Sequence, residues 1–480
     1  MAALESTSVT QPFLLNGKWI SDGATAAIRA PYDGRLLAQV ARSTPAHLEA
    51  AVAAAVAAFE KTRKLPAYER QRALLAARQF MLERREEFAQ TICNEAGKPI
   101  KTARAEVDRA LFTLQVAAEE STRIYGEYLP LDLQEFTAGR WALVRRFPLG
   151  PVAAITPFNF PLNLVCHKLA PAMAAGCSMV LKPASQTPLS ALLLARAVEA
   201  AGWPAGALNV LYLSGAEAEA LVADERMKLL SFTGSAEVGW GLKARAGKKR
   251  VALELGGNAG CIVHSDADLR YAAARCVVGG FSYAGQSCIS VQRIFVQKTV
   301  FDAFLAEFVP AVKKLKVGDP RDEATDVGPM IREADAVRAA EWIAQAVEGG
   351  ATLLCGGERR GNLLEPTVLT RTKREQKVNC AEVFAPVVTV EPYDAFDEAL
   401  EQVNDSPFGL QSGLFTRDAR LIFHAYEALE TGGVIVGDVP TFRIDHMPYG
   451  GVKDSGQGRE GLRWAIEEMT ESKLLVMNLQ

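Results

Sequence analysis

The sequence predicts an α/β protein with two parallel-sheet domains. Its 480 residues exceed what one hydrophobic core usually serves, so about two or three domains are expected. From residue 152 to 253 short apolar runs alternate with stretches of helical spacing, the rhythm of parallel strands with helices on both faces. A second cycle of the same kind runs from about 258 to 455, broken at Gly349-Gly350 and Gly432-Gly433. The resulting division is residues 1–125 with 146–256, then 257–455, with 126–145 and 465–480 as arm and tail.

Taken in order, residues 46–125 read as three helices, the second closing on Gly97 with Pro99 just beyond. Residues 127–145 read as irregular. The first sheet is drawn from strands at 152–155, 178–181, 208–213, 228–232 and 251–253. Within it Thr187 and Pro188 suit the N-cap and first turn of a helix that stops at Gly202. The last dozen residues form an apolar, strand-like tail. An exposed apolar strand invites aggregation, so tail and arm are expected to pair with another subunit.

Composition narrows the partners. Hydrophobic residues make up 49% and charged residues 23%, with a net charge of −3, a globular balance without a field for nucleic acid or an anionic membrane. The eight cysteines are scattered, without a C-x-x-C pair or a histidine at metal-ligand spacing, so no metal site is expected. The first nineteen residues lack a basic start and apolar core, which predicts a cytoplasmic protein with reduced thiols.

Four segments carry chemistry. Cys288 ends Gly285-Gln286-Ser287-Cys288, where a glycine permits a tight backbone that presents a thiol into a cleft; alone, such a cysteine reads as a small buried apolar residue. A thiolate that adds to a carbonyl creates an oxyanion needing a donor. Asn159, in Pro157-Phe158-Asn159-Phe160-Pro161 at the carboxyl end of a strand, is placed where open α/β sheets bind ligands; the plain alternative is a turn asparagine bonded to its own backbone. Glu254 ends an apolar strand in Leu253-Glu254-Leu255-Gly256-Gly257, where burial raises its pKa and suits it to activate water. An ion-paired interface glutamate is the other reading. In Phe232-Thr233-Gly234-Ser235-Ala236-Glu237-Val238-Gly239 a glycine-flanked helix start can hold a pyrophosphate, or simply make a tight turn.

These segments, in this order, resemble the aldehyde dehydrogenase superfamily over nearly the whole chain. Lys182-Pro183-Ala184-Ser185, Glu382-Val383-Phe384-Ala385-Pro386, residues 404–410 (NDSPFGL) and residues 448–456 (PYGGVKDSG) agree as well. The resemblance implies a Rossmann-like cofactor domain, a second α/β catalytic domain and a β oligomerisation arm. It implies NAD or NADP as cofactor, a small-molecule aldehyde as substrate, and a homodimer or homotetramer. By the same likeness Cys288 is the nucleophile, Asn159 with the Cys288 backbone N–H is the oxyanion hole, and Glu254 is the general base. Lys182 goes to the adenosine ribose, Gly234 and Ser235 to the pyrophosphate, Glu382 to the nicotinamide ribose and Phe384 beside the ring. Thr156, Pro157, Phe158, Val238, Leu255 and Gly256 complete the cofactor set.

One departure is informative. Many NAD-preferring relatives carry glutamate where this chain has Ser185, and serine removes that acid's repulsion of a 2′-phosphate; use of NADP at least as readily as NAD is expected. For the substrate's tail, Arg109 and Arg443 favour an anionic or hydroxylated group of the lactaldehyde, semialdehyde or glyceraldehyde-3-phosphate type, unless they merely pair with Glu106 or Asp445, and general aliphatic or aromatic aldehydes stay open beside these. Phe160, Leu164, His167, Ser287, Ile289 and Tyr449 would line the rest of the pocket. Ser287 and His167 stand where some phospho-aldehyde and succinate semialdehyde enzymes have arginine, which weighs against those two assignments. Two other readings stand beside hydrolysis: transfer of the acyl group to coenzyme A, against which Glu254 argues, and a non-catalytic structural homologue.

Overall fold

The centre of the computed structural model, which describes residues 10–478, is an eight-stranded sheet. Five of its strands run parallel, in the spatial order Arg250–Glu254, Leu229–Thr233, Val152–Ile155, Met179–Lys182 and Leu208–Val210. Nearly every residue of these strands is buried, as expected for strands covered on both faces. The Phe13–Leu15/Lys18–Ile20 hairpin and Gly456–Gln457 add antiparallel strands at the edges. Of the five parallel strands, the one that comes first in the chain, Val152–Ile155, lies in the middle, so the strand order reverses beside it. Ligands of open α/β sheets sit at that crevice, outside the carboxyl ends, where Asn159, Gly234 and Glu254 follow their strands.

Around this sheet lie α1 (Pro45–Thr62), α2 (Ala67–Glu83), α3 (Arg85–Ala96), α4 (Ile100–Glu120), α5 (Asn163–Ala175), α6 (Leu189–Ala200), α7 (Gly215–Ala223) and α8 (Ala236–Arg245). The region expected to hold three helices holds four. Arg84, at φ −115° and ψ 24°, breaks the middle one, and the apolar faces of α2 and α3 then both pack on α4. The capping of α6 also differs from expectation. Thr187 makes no cap and its hydroxyl has no partner; the buried Glu95 carboxylate of α3 instead accepts from Leu189 N at 2.7 Å and Ser190 N at 2.9 Å. A long-range cap of this kind leaves no local pattern to read.

A second, seven-stranded sheet runs in the order Thr352–Cys355, Thr367–Thr370, Val387–Tyr393, Val291–Gln297, Ala259–Val263, Gln411–Phe415 and Gly433–Val436. Only the first of these is antiparallel to its neighbour. Its core is a separate cluster, covered in part by α9 (Leu269–Phe281).

Residues 127–145 are not irregular as the sequence suggested. They hold strands Glu127–Pro130 and Arg140–Pro148, and Thr470–Asn478 pairs with the second of these along its whole length, from Thr470↔Pro148 to Asn478↔Arg140. The tail strand is therefore satisfied on one side within its own chain. Leu474, Leu475 and Val476 nevertheless stay 56%, 54% and 48% exposed. The outermost residues of the predicted segments, 1–9 and 479–480, lie outside the described residues. No helix among the described residues is long and apolar enough to cross a membrane.

Candidate active site

The thiol that the sequence singled out stands after a sharply bent turn. Tyr283, Ala284 and Gly285 all have left-handed backbones, at φ 50°, 53° and 67°. Each non-glycine residue so placed costs roughly 1–2 kcal/mol, so the bend needs support from elsewhere. A Cβ on Gly285 would come within 2.1 Å of the Ala385 carbonyl oxygen, and only glycine fits there. The Tyr283 hydroxyl donates to Ala96 O at 2.8 Å, and Gln286 is held through Ile331 N at 2.9 Å. Cys288 emerges partly open to a cavity of about 490 Å³ between the two sheets.

Asn159, Glu254 and Cys288 all line that cavity. So do Pro157, Phe158, Gly234, Ser235, Leu255, Gly256, Glu382 and Phe384 of the cofactor set, and Arg109, Phe160, Leu164, His167, Ser287, Ile289, Arg443 and Tyr449 of the substrate set. Thr156, Lys182, Ser185 and Val238 do not. Thr156 and Lys182 sit at neighbouring strand ends, joined by a 3.2 Å backbone bond from Thr156 N to Lys182 O. The Ser185 hydroxyl turns to Leu213 O at 3.4 Å, and Val238 is exposed on α8.

The Asn159 amide donates to Gln286 O at 3.1 Å, which ties the segment after Val152–Ile155 directly to the cysteine loop. An amide NH₂ has two hydrogens, so one remains for a ligand. Glu254 Oε2 is buried without a partner. Burial holds this carboxyl well above the carboxylate range; nearby Glu460 adds to the push, while Arg443, Lys168 and Arg459 oppose it. The segment after Glu254 packs closely on the nucleophile, since a Cβ on Gly257 would meet Cys288 O at 2.1 Å. Burial pushes the Cys288 thiol up to about 12, and a hydrogen bond with the Tyr449 hydroxyl pulls the other way. The two atoms are 3.1 Å apart.

That hydroxyl contact was not foreseen, for the sequence offered Tyr449 only as pocket wall. Of the largely buried charge cluster in the pocket wall, the sequence offered only the pairing of an arginine with Asp445; Lys168 and Glu460 were missed. Lys168 donates to Thr233 Oγ1 at 2.8 Å and lies 3.5 Å from Glu460 Oε1. His167 bridges Glu460 and Asp445 at 2.8 Å on either ring nitrogen. Arg443 pairs with Glu460 at 2.8 Å, and Arg109 with Asp445 at 2.7 Å. Burial alone would raise Asp445, yet His167 and Arg109 hold it well below the carboxylate range. A histidine and a lysine in the middle of the apolar helix α5 were the available signal, because charges are not buried there without partners.

The cleft also fits a dinucleotide. Ser235 caps α8 without a side-chain bond, so the first N–H groups of that helix remain free for a phosphate. A Cβ on Gly256 would come within 2.4 Å of Glu382 Oε2, so glycine keeps that wall open. The Thr156 hydroxyl is buried without a partner, and Lys182 has no carboxylate at salt-bridge distance among the described residues.

A partly open thiol sharing one cavity with an amide and a buried carboxyl, between two parallel sheets, is an arrangement suited to an enzyme that works by covalent catalysis. The Aldehyde dehydrogenase family model matches residues 19–475. The 3-sulfolactaldehyde dehydrogenase of Priestia aryabhattai is 46% identical over 98% of this chain and 100% of its own. The crystal structure of aldehyde dehydrogenase 21 from Physcomitrella patens, in complex with the reaction product succinate, has a TM-score of 0.96 at 46% identity and covers 98% of each chain. That of the glyceraldehyde-3-phosphate dehydrogenase GapN from Methanocaldococcus jannaschii, complexed with NADP, has a TM-score of 0.92 at 38% identity over 96% of this chain and 100% of that one. The chain belongs to the aldehyde dehydrogenase family, NAD(P)-dependent enzymes that oxidise aldehydes to carboxylic acids.

Proposed function

We propose that this enzyme oxidises a small aldehyde with an anionic tail, carboxylate or sulfonate, using Cys288 as nucleophile, Asn159 and the Cys288 backbone N–H as oxyanion hole, and Glu254 as general base. The observation that carries the reading is the single cavity shared by Cys288, Asn159 and Glu254. The Cys288 thiol releases its proton to solvent and the resulting thiolate adds to the aldehyde carbon, and the oxygen takes up charge that Asn159 Nδ2–H and the backbone N–H stabilise. A bound NAD or NADP would supply the hydride acceptor, and loss of hydride would leave the acyl group as a thioester on Cys288. Glu254, deprotonated, then takes a proton from water as the water attacks the thioester, and the acid leaves. Lys182 and Ser185 would hold the adenosine ribose, Ser235 and the α8 amides the pyrophosphate, Glu382 the nicotinamide ribose, and Phe384 with Phe158 the ring's side of the cleft.

Asn159→Ala is expected to lower kcat about 100- to 1000-fold with little change in KM, since its donor acts on charge present only in the transition state. Steady-state kinetics on purified protein check this.

The anionic tail is supported by Arg443, whose Nε is buried and makes no hydrogen bond among the described residues, its nearest carboxylate oxygen being Asp445 Oδ1 at 3.8 Å, although its Nη2 is paired with Glu460. An acceptor on the substrate would satisfy it. The two relatives at 46% identity are named for, or crystallised with, molecules that carry a sulfonate or carboxylate. A panel of aldehydes matched in length but differing in tail charge tests this. Charged-tail substrates are expected to have the higher kcat/KM, and equal values for neutral analogues would overturn the assignment.

For the cofactor, Ser185 and an unpaired Lys182 favour a 2′-phosphate, so kcat/KM with NADP is expected at least to equal that with NAD. A preference for NAD of more than about tenfold would contradict this, being over 1.4 kcal/mol the other way. We also assign residues 1–125 with 146–256 to cofactor binding, 257–455 to catalysis, and 126–145 with 465–480 to an arm joining a homodimer or homotetramer.

A further inference from the structure

Lys98 lies in the corner between α3 and α4, and its side chain is wholly buried. Its ammonium pairs with Glu106 Oε2. The same ammonium stands 3.8 Å from the centre of the Phe160 ring and 4.5 Å from that of Tyr283. These two rings belong to the two segments whose relative placement matters most. Phe160 follows Asn159 directly, and Tyr283 opens the left-handed turn that leads to Cys288.

Glu106 extends the grip. Its other oxygen accepts from Leu162 N at 3.0 Å and Asn163 N at 3.1 Å, the first amides of α5, three and four residues after Asn159. Tyr283 is tied to the same corner by its hydroxyl bond to Ala96 O. The corner itself cannot drift: a Cβ on Gly97 would meet Pro329 Cγ at 2.7 Å, and one on Gly328 would meet Gly97 O at 2.4 Å. A buried lysine that served stability alone would be a poor choice, because an apolar side chain of similar size commonly does as well.

We propose that Lys98 is a positioning residue: with Glu106, Phe160 and Tyr283 it sets the distance between the Asn159 amide and the Cys288 backbone N–H, the two halves of the oxyanion hole. This rests on the roles given above to Asn159 and Cys288. Displacements of about an ångström at a reacting centre are enough to slow it up to about a hundredfold.

The test is the double variant Lys98→Met/Glu106→Gln. It removes both charges together, leaves no unpaired buried ion, and keeps an oxygen facing the α5 amides, so it is expected to fold. Two rates are compared with wild type: single-turnover reduction of the cofactor by an aldehyde, and alkylation of Cys288 by iodoacetamide, a displacement at carbon that develops no oxyanion. Single turnover is expected to fall at least about tenfold while alkylation stays within about twofold. An unchanged single-turnover rate in the folded variant overturns the proposal, and so does an equal fall in both rates, which is what general loosening of the loop would give. Should the double variant be too unstable to isolate, Lys98→Met alone carries the same comparison with the same two outcomes, because Glu106 keeps its bonds to Leu162 N and Asn163 N. Turnover that survives in Cys288→Ala would instead overturn the reading of the site beneath it.

Discussion

Cys288→Ala is expected to reduce kcat/KM on the order of a million-fold, the scale seen when a nucleophile that acts in concert with its base is removed. No other thiol can take over. Cys93, Cys166, Cys177, Cys261 and Cys276 are fully buried, while Cys355 and Cys380 do not line the central cavity. The first four of these are expected to stay inert, since burial holds Cys93, Cys166 and Cys177 above their ordinary range and the contact with Cys276, together with burial, does the same for Cys261. Cys288 shares the upward push but differs in having the Tyr449 hydroxyl against its sulfur and Arg443 near enough to favour the thiolate. Cofactor reduction by the alanine variant, followed by absorbance, checks the expectation, with cofactor binding measured in parallel to show that the fold is intact.

Glu254→Gln is expected to separate two steps that the cysteine variant removes together. Nucleophilic attack and hydride loss do not need the carboxylate to activate water, so about one equivalent of cofactor per site should be reduced in a burst. The following turnover should then slow about 100- to 10,000-fold, the usual range for loss of a general base. The pH dependence follows from the direction of the shift. Burial raises the Glu254 carboxyl well above its ordinary range, so the group is protonated and idle in acid and becomes a base only as pH rises through that elevated value. Thioester hydrolysis in the wild type should therefore climb as pH rises through that elevated value, above the ordinary carboxylate range. In the glutamine variant the inflection set by that carboxyl should vanish, leaving a slower, hydroxide-driven reaction that rises steadily with pH. Rapid-mixing measurements of burst and steady phases over a pH series distinguish the two.

How much of this was written in the chain depends on whether the cause is local. The parallel strands at 152–155 and 229–233 were legible because a strand buried on both faces must be apolar throughout. Glu254 was legible for the opposite reason, as a single acid at the end of such a strand. The arm was not, because Thr470–Asn478 pairs with Arg140–Pro148 across more than three hundred residues and polar residues are free to face solvent there. Nor was the cap of α6, which comes from Glu95 far upstream while Thr187 beside it stays unused. The two arginines of the pocket were read as free cations or as partners of nearby acids, and both do carry acids, Arg109 with Asp445 and Arg443 with Glu460. Lys98 gave no hint at all, because a lysine at a helix corner ordinarily reaches into solvent.

Everything in the proposed mechanism passes through an acyl group on one sulfur. Mixing Glu254→Gln with an aldehyde and cofactor, quenching in acid and measuring intact mass should reveal a nearly stoichiometric acyl adduct, which peptide mapping should locate on Cys288. Product formation with no adduct, or an adduct on any other residue, would contradict the account.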